Sequence, residues 1–240
     1  MACPILDEQT EIMTPYYHDD LITLYNSDNR EVLASLPDES IDCTITDPPY
    51  GIGFLSGHTT IPFDEIAEDD TPTFDILPEL FRVHKNNTAL YLFTRWDVQQ
   101  QWIDAVNSSG FEVKNVIVWS KGGGGGMGDL EGNWSNDYES IIYAVKGRHI
   151  INVRHRTVIN ADRVSPGNMF HPTQKPREVW YQMLEVSTKR GDLVLDPYAG
   201  SCSSLKAASA MGRRIIGCEL VEKYCKKAVT TFGERMLFEI

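Results

Sequence analysis

The chain alternates between two periodicities. Short apolar or β-branched runs at 21–25, 41–46, 89–94, 112–119, 140–145, 193–195 and 215–218 read as strands. Between them, apolar residues at helical spacing mark helices over 29–36, 78–84, 97–107, 203–211 and 222–232, with one more opening at Pro176. Asp28 is placed to cap the first helix and Pro37 to stop it. Val179, Trp180, Met183 and Leu184 share one face of the helix after Pro176. Strand and helix alternate throughout, so the expected architecture is α/β with a mostly parallel sheet. No repeat interrupts it. At 240 residues and 42% apolar content the chain can build one substantial core, so a single domain over 1–240 is expected.

Three kinds of segment fall outside the periodic pattern. Residues 1–19 are acidic and aperiodic and read as a loose arm. Residues 51–75 and 120–138 read as loops, the second carrying a run of five glycines, Gly122 to Gly126. Residues 146–172 read as a short basic insertion. The net charge is −12, which by itself argues against a nucleic-acid partner, but its distribution argues for one. Residues 1–80 hold 18 acids against Arg30 alone, whereas 146–177 hold Lys146, Arg148, Arg154, Arg156, Arg163, Lys175 and Arg177 against Asp162. Arg148, Arg154, Arg156 and Arg163 are the candidate DNA contacts. Five cysteines, none in a C-x-x-C pair, make a disulfide framework or a zinc site unexpected. The N-terminus has neither a basic end nor a long apolar run, so no signal peptide or membrane span is expected. The reading is a reduced protein of the cytoplasm, in a bacterium or a phage-infected cell.

Three motifs carry chemistry. Asp47-Pro48-Pro49-Tyr50 follows the second strand, where ligands of open α/β sheets bind. An aromatic amino nitrogen is a poor nucleophile because its lone pair is shared with the ring. Acceptors placed on its two N–H groups pull it toward a nucleophilic shape. The Asp47 carboxylate and the Pro48 carbonyl can serve, the prolines restrict the backbone that holds them, and Tyr50 offers a stacking face. The second motif, Asp196-Pro-Tyr198-Ala199-Gly200-Ser201-Cys202, lies between a strand and a helix, the geometry by which a nucleotide-like cofactor approaches the backbone. Glu219 ends the next strand and can accept from ribose hydroxyls. The third is His171-Pro-Thr173-Gln-Lys175-Pro176, whose hydroxyl, ammonium and helix start can hold a carboxylate. Taken singly, each also fits an ordinary turn or cap.

Together and in this order, DPPY, HPTQKP and DPYAGS resemble the permuted, β-class amino-methyltransferases of DNA over nearly the whole chain, 21–232. The resemblance implies a Rossmann-like S-adenosylmethionine-dependent fold, with a seven-stranded sheet carrying one antiparallel strand and a circularly permuted motif order. It assigns Asp47, Pro48, Pro49 and Tyr50 to a flipped base. It assigns Asp196, Tyr198, Ala199, Gly200 and Ser201 to S-adenosylmethionine, Glu219 to the ribose, Asp28 to the adenosine, and Thr173 and Lys175 to the methionine carboxylate. Trp119-Ser-Lys121 and Glu139-Ser-Ile141 resemble supporting motifs. The implied reaction is methylation of adenine N6 in double-stranded DNA without a metal; a homodimer and a restriction-endonuclease partner are both compatible with it. Cytosine N4 is the alternative acceptor, although that subgroup more often has Ser at position 47. A non-catalytic nucleic-acid-binding module on the same fold is the other. Two departures stand out: Cys202 replaces a usual glycine, and the segment between 145 and 171 is too short for a separate target-recognition domain.

Overall fold

The computed structural model describes residues 13–50, 73–122, 131–165 and 174–232. Its nine strands are β1 (Tyr17–His18), β2 (Ile22–Tyr25), β3 (Ile41–Thr46), β4 (His84–Thr94), β5 (Glu112–Ser120), β6 (Tyr138–Lys146), β7 (Val158–Asn160), β8 (Leu193–Asp196) and β9 (Arg214–Cys218). They form one sheet in the order β1-β2-β9-β8-β3-β4-β6-β5-β7. From β2 to β5 this is the expected seven-stranded sheet, with β6 antiparallel to both neighbours and the other pairs parallel. Two short edge strands extend it. β1 pairs antiparallel with β2, so the end of the supposed loose arm is fastened to the sheet. β7 pairs with β5, so the basic segment is part of the sheet instead of standing apart.

Six helices cover the two faces: α1 (Asn29–Ser35), α2 (Leu77–Val83), α3 (Gln99–Ser108), α4 (Arg177–Ser187), α5 (Ser203–Ala210) and α6 (Glu222–Phe232). Strand alternation sorts the core. Ala89, Tyr91 and Phe93 of β4 pack with Val179, Met183, Leu205 and Ala228 from α4, α5 and α6. Leu90 and Leu92 pack with Leu33, Leu80, Trp102 and Val106 from α1, α2 and α3. A register shift between Ile41 and Cys43 moves Ile41 onto the second face while Cys43 and Ile45 keep to the first. Asp28 caps α1 as expected, accepting from the Arg30 N–H at 2.9 Å. The loop before α2 ends in a single 3-10 turn over Phe74–Ile76.

The topology places the site. From β8 the chain winds through α5, β9 and α6 toward one edge; from β3 it winds through α2, β4 and α3 toward the other. β3 and β8 are neighbours, so the connections diverge between them and open a crevice beyond their carboxyl ends. The permuted ends also meet: Tyr17, beside β2, lies 5.1 Å from Phe232 at the end of α6, ring centre to ring centre.

β9 and α5 approach closely because Gly217 has no side chain. A Cβ there would sit 2.7 Å from Leu205 Cδ1. Gly217→Ala is therefore expected to cost about 1–3 kcal/mol by overpacking. The check is a fall in the urea midpoint with an unchanged m-value.

Candidate active site

Asp47 leaves β3 at its carboxyl end, and both its oxygens are engaged. Tyr50 donates its hydroxyl to Oδ1 at 2.6 Å, and Lys175 Nζ lies 2.7 Å from Oδ2. Lys175, just before α4, reaches on to Glu139 Oε2 at 2.8 Å, and Lys121 holds Glu139 Oε1 at 2.7 Å. The Lys175 side chain is only 5% exposed. Its ammonium stands 5.0 Å from the Phe93 ring centre and 5.9 Å from that of Trp119. Burial alone would strip its proton, but Asp47 and Glu139 outweigh this and hold its pKa above the ordinary lysine value. Burial raises the Asp47 carboxyl and Glu139 adds to the rise, with Lys175 opposing both. Glu139 is held below its usual range by Lys175 and Lys121 despite its own burial.

The turn after β8 forms the neighbouring half. Asp196 is buried and accepts from Thr46 at 3.0 Å, from the Tyr198 N–H at 3.1 Å, and from the Ser204 hydroxyl. The Thr46 bond joins the two motifs across the crevice. Burial lifts Asp196 to about 6 and Glu219 to about 7. Glu219 accepts from the Val221 N–H at 2.7 Å and from the Gly200 backbone. A carboxylate has about four acceptor sites, so capacity for hydroxyl donors remains. Asn26 ties the end of β2 to this region through the carbonyls of Glu219 and Leu220, both at 2.9 Å. These residues fit a ribose-bearing cofactor. Gly200 and Cys202 have φ of 50° and 56°, a left-handed pair in which only Gly200 is free of strain. The Cys202 side chain is fully buried among the apolar core residues, with its thiol 3.9 Å from the Gly200 carbonyl.

The structure brings Asp47, Tyr50, Lys175, Asp196, Tyr198, Gly200 and Glu219 to the carboxyl edge of the sheet. Asp28 stands there too, after β2, but its carboxylate is held by the Arg30 side chain at 2.7 Å. Lys175, expected at a methionine carboxylate, has its ammonium on Asp47 and Glu139. Thr173 and most of the glycine run lie outside the described residues. The basic segment is divided. Lys146 is buried, donating to the carbonyls of Phe81 and His84 at 2.9 and 2.7 Å, so it belongs to the scaffold. Arg163 follows β7 near the site and donates to the Asn136 carbonyl at 2.9 Å. Arg154 and Arg156 line a groove of about 650 Å³ with Ile151, Val153, Tyr143 and Met183. Their segment is pinned to the far end of α4 by Asn152, whose N–H donates to the Val186 carbonyl at 2.8 Å. Arg148, exposed, is anchored by its backbone N–H to Asn87. Sequence reasoning saw Lys121 and Glu139 only as supporting motifs and missed Trp96 and Trp134. These tryptophans are 62% and 93% exposed, Trp96 following β4 at the carboxyl edge and Trp134 lying in the loop before β6.

Fold and motif order together define a Rossmann-like, S-adenosylmethionine-dependent methyltransferase. The sequence profile of the DNA methylase family (N6_N4_Mtase) matches residues 41–230, and the chain belongs to that family. It is 28% identical over 240 residues to the DNA adenine methyltransferase YhdJ of Escherichia coli strain K12, covering 85% of this chain and 80% of that one. M1.HpyAVI, solved in complex with SAM, superposes with a TM-score of 0.69 at 23% identity over 88% of this chain and 99% of its own. PvuII DNA methyltransferase (cytosine-N4-specific) has a TM-score of 0.71 at 14% identity, over 94% and 96% of the two chains.

Two predictions follow from the cofactor half. Glu219 binds its proton more tightly in the folded chain, so its burial costs nothing below the ordinary glutamate range. The cost grows as pH rises toward about 7. Hydroxyl donors favour the ionised form. Calorimetry should therefore show S-adenosylmethionine binding tighten from about pH 6 to about pH 8 and then level off. Glu219→Gln should bind more weakly, by roughly 1.5–3 kcal/mol at the upper end, without that pH dependence. Cys202→Gly removes left-handed strain but also a buried thiol. Thermal unfolding should place it within about 1 kcal/mol of the parent, with cofactor affinity unchanged.

Proposed function

We propose that this DNA methylase transfers the methyl group of S-adenosylmethionine to N6 of a flipped adenine in double-stranded DNA. The observation that carries the reading is the Asp47 carboxylate, largely buried at the β3–β8 divergence and linked through Thr46 to the cofactor half. Asp47 can accept one N6–H and the Pro48 carbonyl the other, drawing the nitrogen toward a nucleophilic shape. The Tyr50 hydroxyl now on Oδ1 marks a donor position that an amino group can take over, and the ring remains as a stacking face. When bound, the cofactor supplies a methyl group already activated on a positively charged sulfur, so the chain contributes orientation and acceptors instead of a covalent nucleophile. None of its cysteines lies in the D-P-P-Y segment. The name of YhdJ supports adenine as acceptor. The deciding measurement is mass spectrometry of nucleosides after reaction with methyl-labelled cofactor, with N6-methyladenine expected. N4-methylcytosine alone would move the acceptor to cytosine, and label on neither base would sink the enzymatic reading.

Asp47→Ala should lower single-turnover methylation by about 100-fold or more, measured below its own unfolding transition, because the loss of a partner of buried Lys175 should also cost about 3–5 kcal/mol of stability. Tyr50→Phe should be mild. Tyr50→Ala should lose about 1–3 kcal/mol of base stacking, read as weaker productive DNA binding.

Arg163 and the exposed rings of Trp96 and Trp134 are proposed as the DNA-facing groups nearest the site, with Arg148, Arg154 and Arg156 forming a second basic surface toward the far end of α4. Arg163→Ala should reduce the salt slope of duplex binding by about 0.9, and more than Arg154→Ala with Arg156→Ala does. The opposite ranking would place the duplex along α4.

A further inference from the structure

Among the described residues no hydrogen bond or ion pair joins Glu139 to the D-P-P-Y segment, yet it shares the ammonium on which Asp47 depends. The alternation is linear: Tyr50 hydroxyl, Asp47, Lys175, Glu139, Lys121, with separations of 2.6, 2.7, 2.8 and 2.7 Å. Two carboxylates and two ammonium groups cancel. Glu139 sits on β6 directly opposite Trp119 of β5, so the sheet register fixes its position beneath Lys175. The aromatic faces of Phe93 and Trp119 keep the ammonium from turning elsewhere. An ammonium has three N–H donors: facing one carboxylate it can direct all of them there, whereas between two carboxylates its donors and its charge are divided. Lys121 anchors the outer oxygen of Glu139 and so limits how far Lys175 can be drawn off.

We propose that Glu139 is a positioning residue for methyl transfer, sharing the Lys175 ammonium with Asp47 as a second negative charge so that Asp47 keeps the acceptor strength an amino N–H requires. This rests on Asp47 being the base acceptor. The charged and titratable groups around Asp47 are Tyr50 from its own turn, Lys175 before α4, Glu139 on β6, Lys121 after β5, Asp196 after β8, and Arg95 after β4, which acts through Tyr50. Their signs give opposite forecasts for two variants. Glu139→Gln removes a negative charge that raises the Asp47 pKa, so Asp47 should ionise at lower pH, yet Lys175 should close onto it and weaken it as an acceptor. Lys121→Gln removes a positive charge behind Glu139, so Asp47 should ionise at higher pH.

The experiment is single-turnover methylation of duplex DNA against pH for the full chain and for Glu139→Gln, Glu139→Asp and Lys121→Gln, with cofactor affinity and thermal unfolding measured alongside. Glu139→Gln should lower the plateau rate about tenfold or more and shift the acid limb to lower pH, with the DNA KM little changed. Glu139→Asp, which keeps the charge, should keep the limb near its parental pH and recover part of the rate. Lys121→Gln should shift the limb to higher pH. A Glu139→Gln plateau within twofold of the parent (a factor near the noise of one weak contact), or a limb that stays or moves upward, overturns the proposal. So does an unmoved limb in Lys121→Gln, which carries the test alone if Glu139→Gln does not fold. Asp47→Ala separates the two levels: activity surviving there removes the reading on which this one rests, whereas a dead Asp47→Ala beside an unmoved Glu139→Gln removes only the role of Glu139.

Discussion

The charge array around Lys175 is the constraint on which the rest of the site depends. Burying one ammonium costs several kcal/mol unless its partners are all present, and removing one partner of such a set typically costs about 3–5 kcal/mol. Here the members of the array come from four places in the chain: the turn after β3, the start of β6, the residue after β5, and the segment before α4. Satisfying one side chain therefore fixes four segments relative to one another. Because Lys175 immediately precedes α4, it also sets where that helix begins, and α4 packs against α5, the helix that closes the cofactor turn: the Trp180 indole donates to Ser203 at 2.9 Å. The array thus ties the half of the sheet that faces the base to the half that faces the cofactor.

The crevice itself comes from strand order. Only between β3 and β8 do the helical connections leave in opposite directions, so only there can two carboxyl-end turns stand apart and face a common ligand. Asp47 and Asp196 occupy those turns, with Thr46 donating across the gap. The raised Asp196 and Glu219 carboxyls are a consequence of that enclosure, since burial is the largest cause in each. A crevice edged by desolvated carboxylates suits a ligand carrying hydroxyl donors and a positive sulfur.

Most of this was legible in the sequence because the scaffold follows local rules. β3, α6 and the Asp28 cap fall where apolar spacing and cap chemistry put them. What escaped was either too short or nonlocal. β1 and β7 span two and three residues, below what a period-two pattern can reveal, and β7 contributes a single buried side chain, Ile159. Lys146 reads as one more cation in a basic run, yet carbonyls about 60 residues earlier claim it, and no charge count can show that. The same holds for Lys121 and Glu139, whose link to Lys175 joins segments that are not neighbours along the chain. Cys202 is the reverse case. The sequence exposed a departure from glycine, and the structure places the thiol in the core.

A chain of net charge −12 that acts on a polyanion needs its charges sorted in space, and the sheet provides the axis. At the amino ends of the strands stand Asp38, Glu39 and Asp42 before or within β3, Glu112 opening β5, and Asp192 before β8. Several of these acids are matched locally, Asp38 to Arg82, Asp42 to Lys85 and Glu112 to Lys114, which holds them at that edge. At the carboxyl ends, Lys121 and Lys175 neutralise Glu139 and Asp47, and Arg163 stands beside them with exposed Trp96 and Trp134. The net charge averages over two unlike edges. The carboxyl edge presents aromatic surface and Arg163 beside a locally balanced site, while the amino edge sets its carboxylates against Arg82, Lys85 and Lys114.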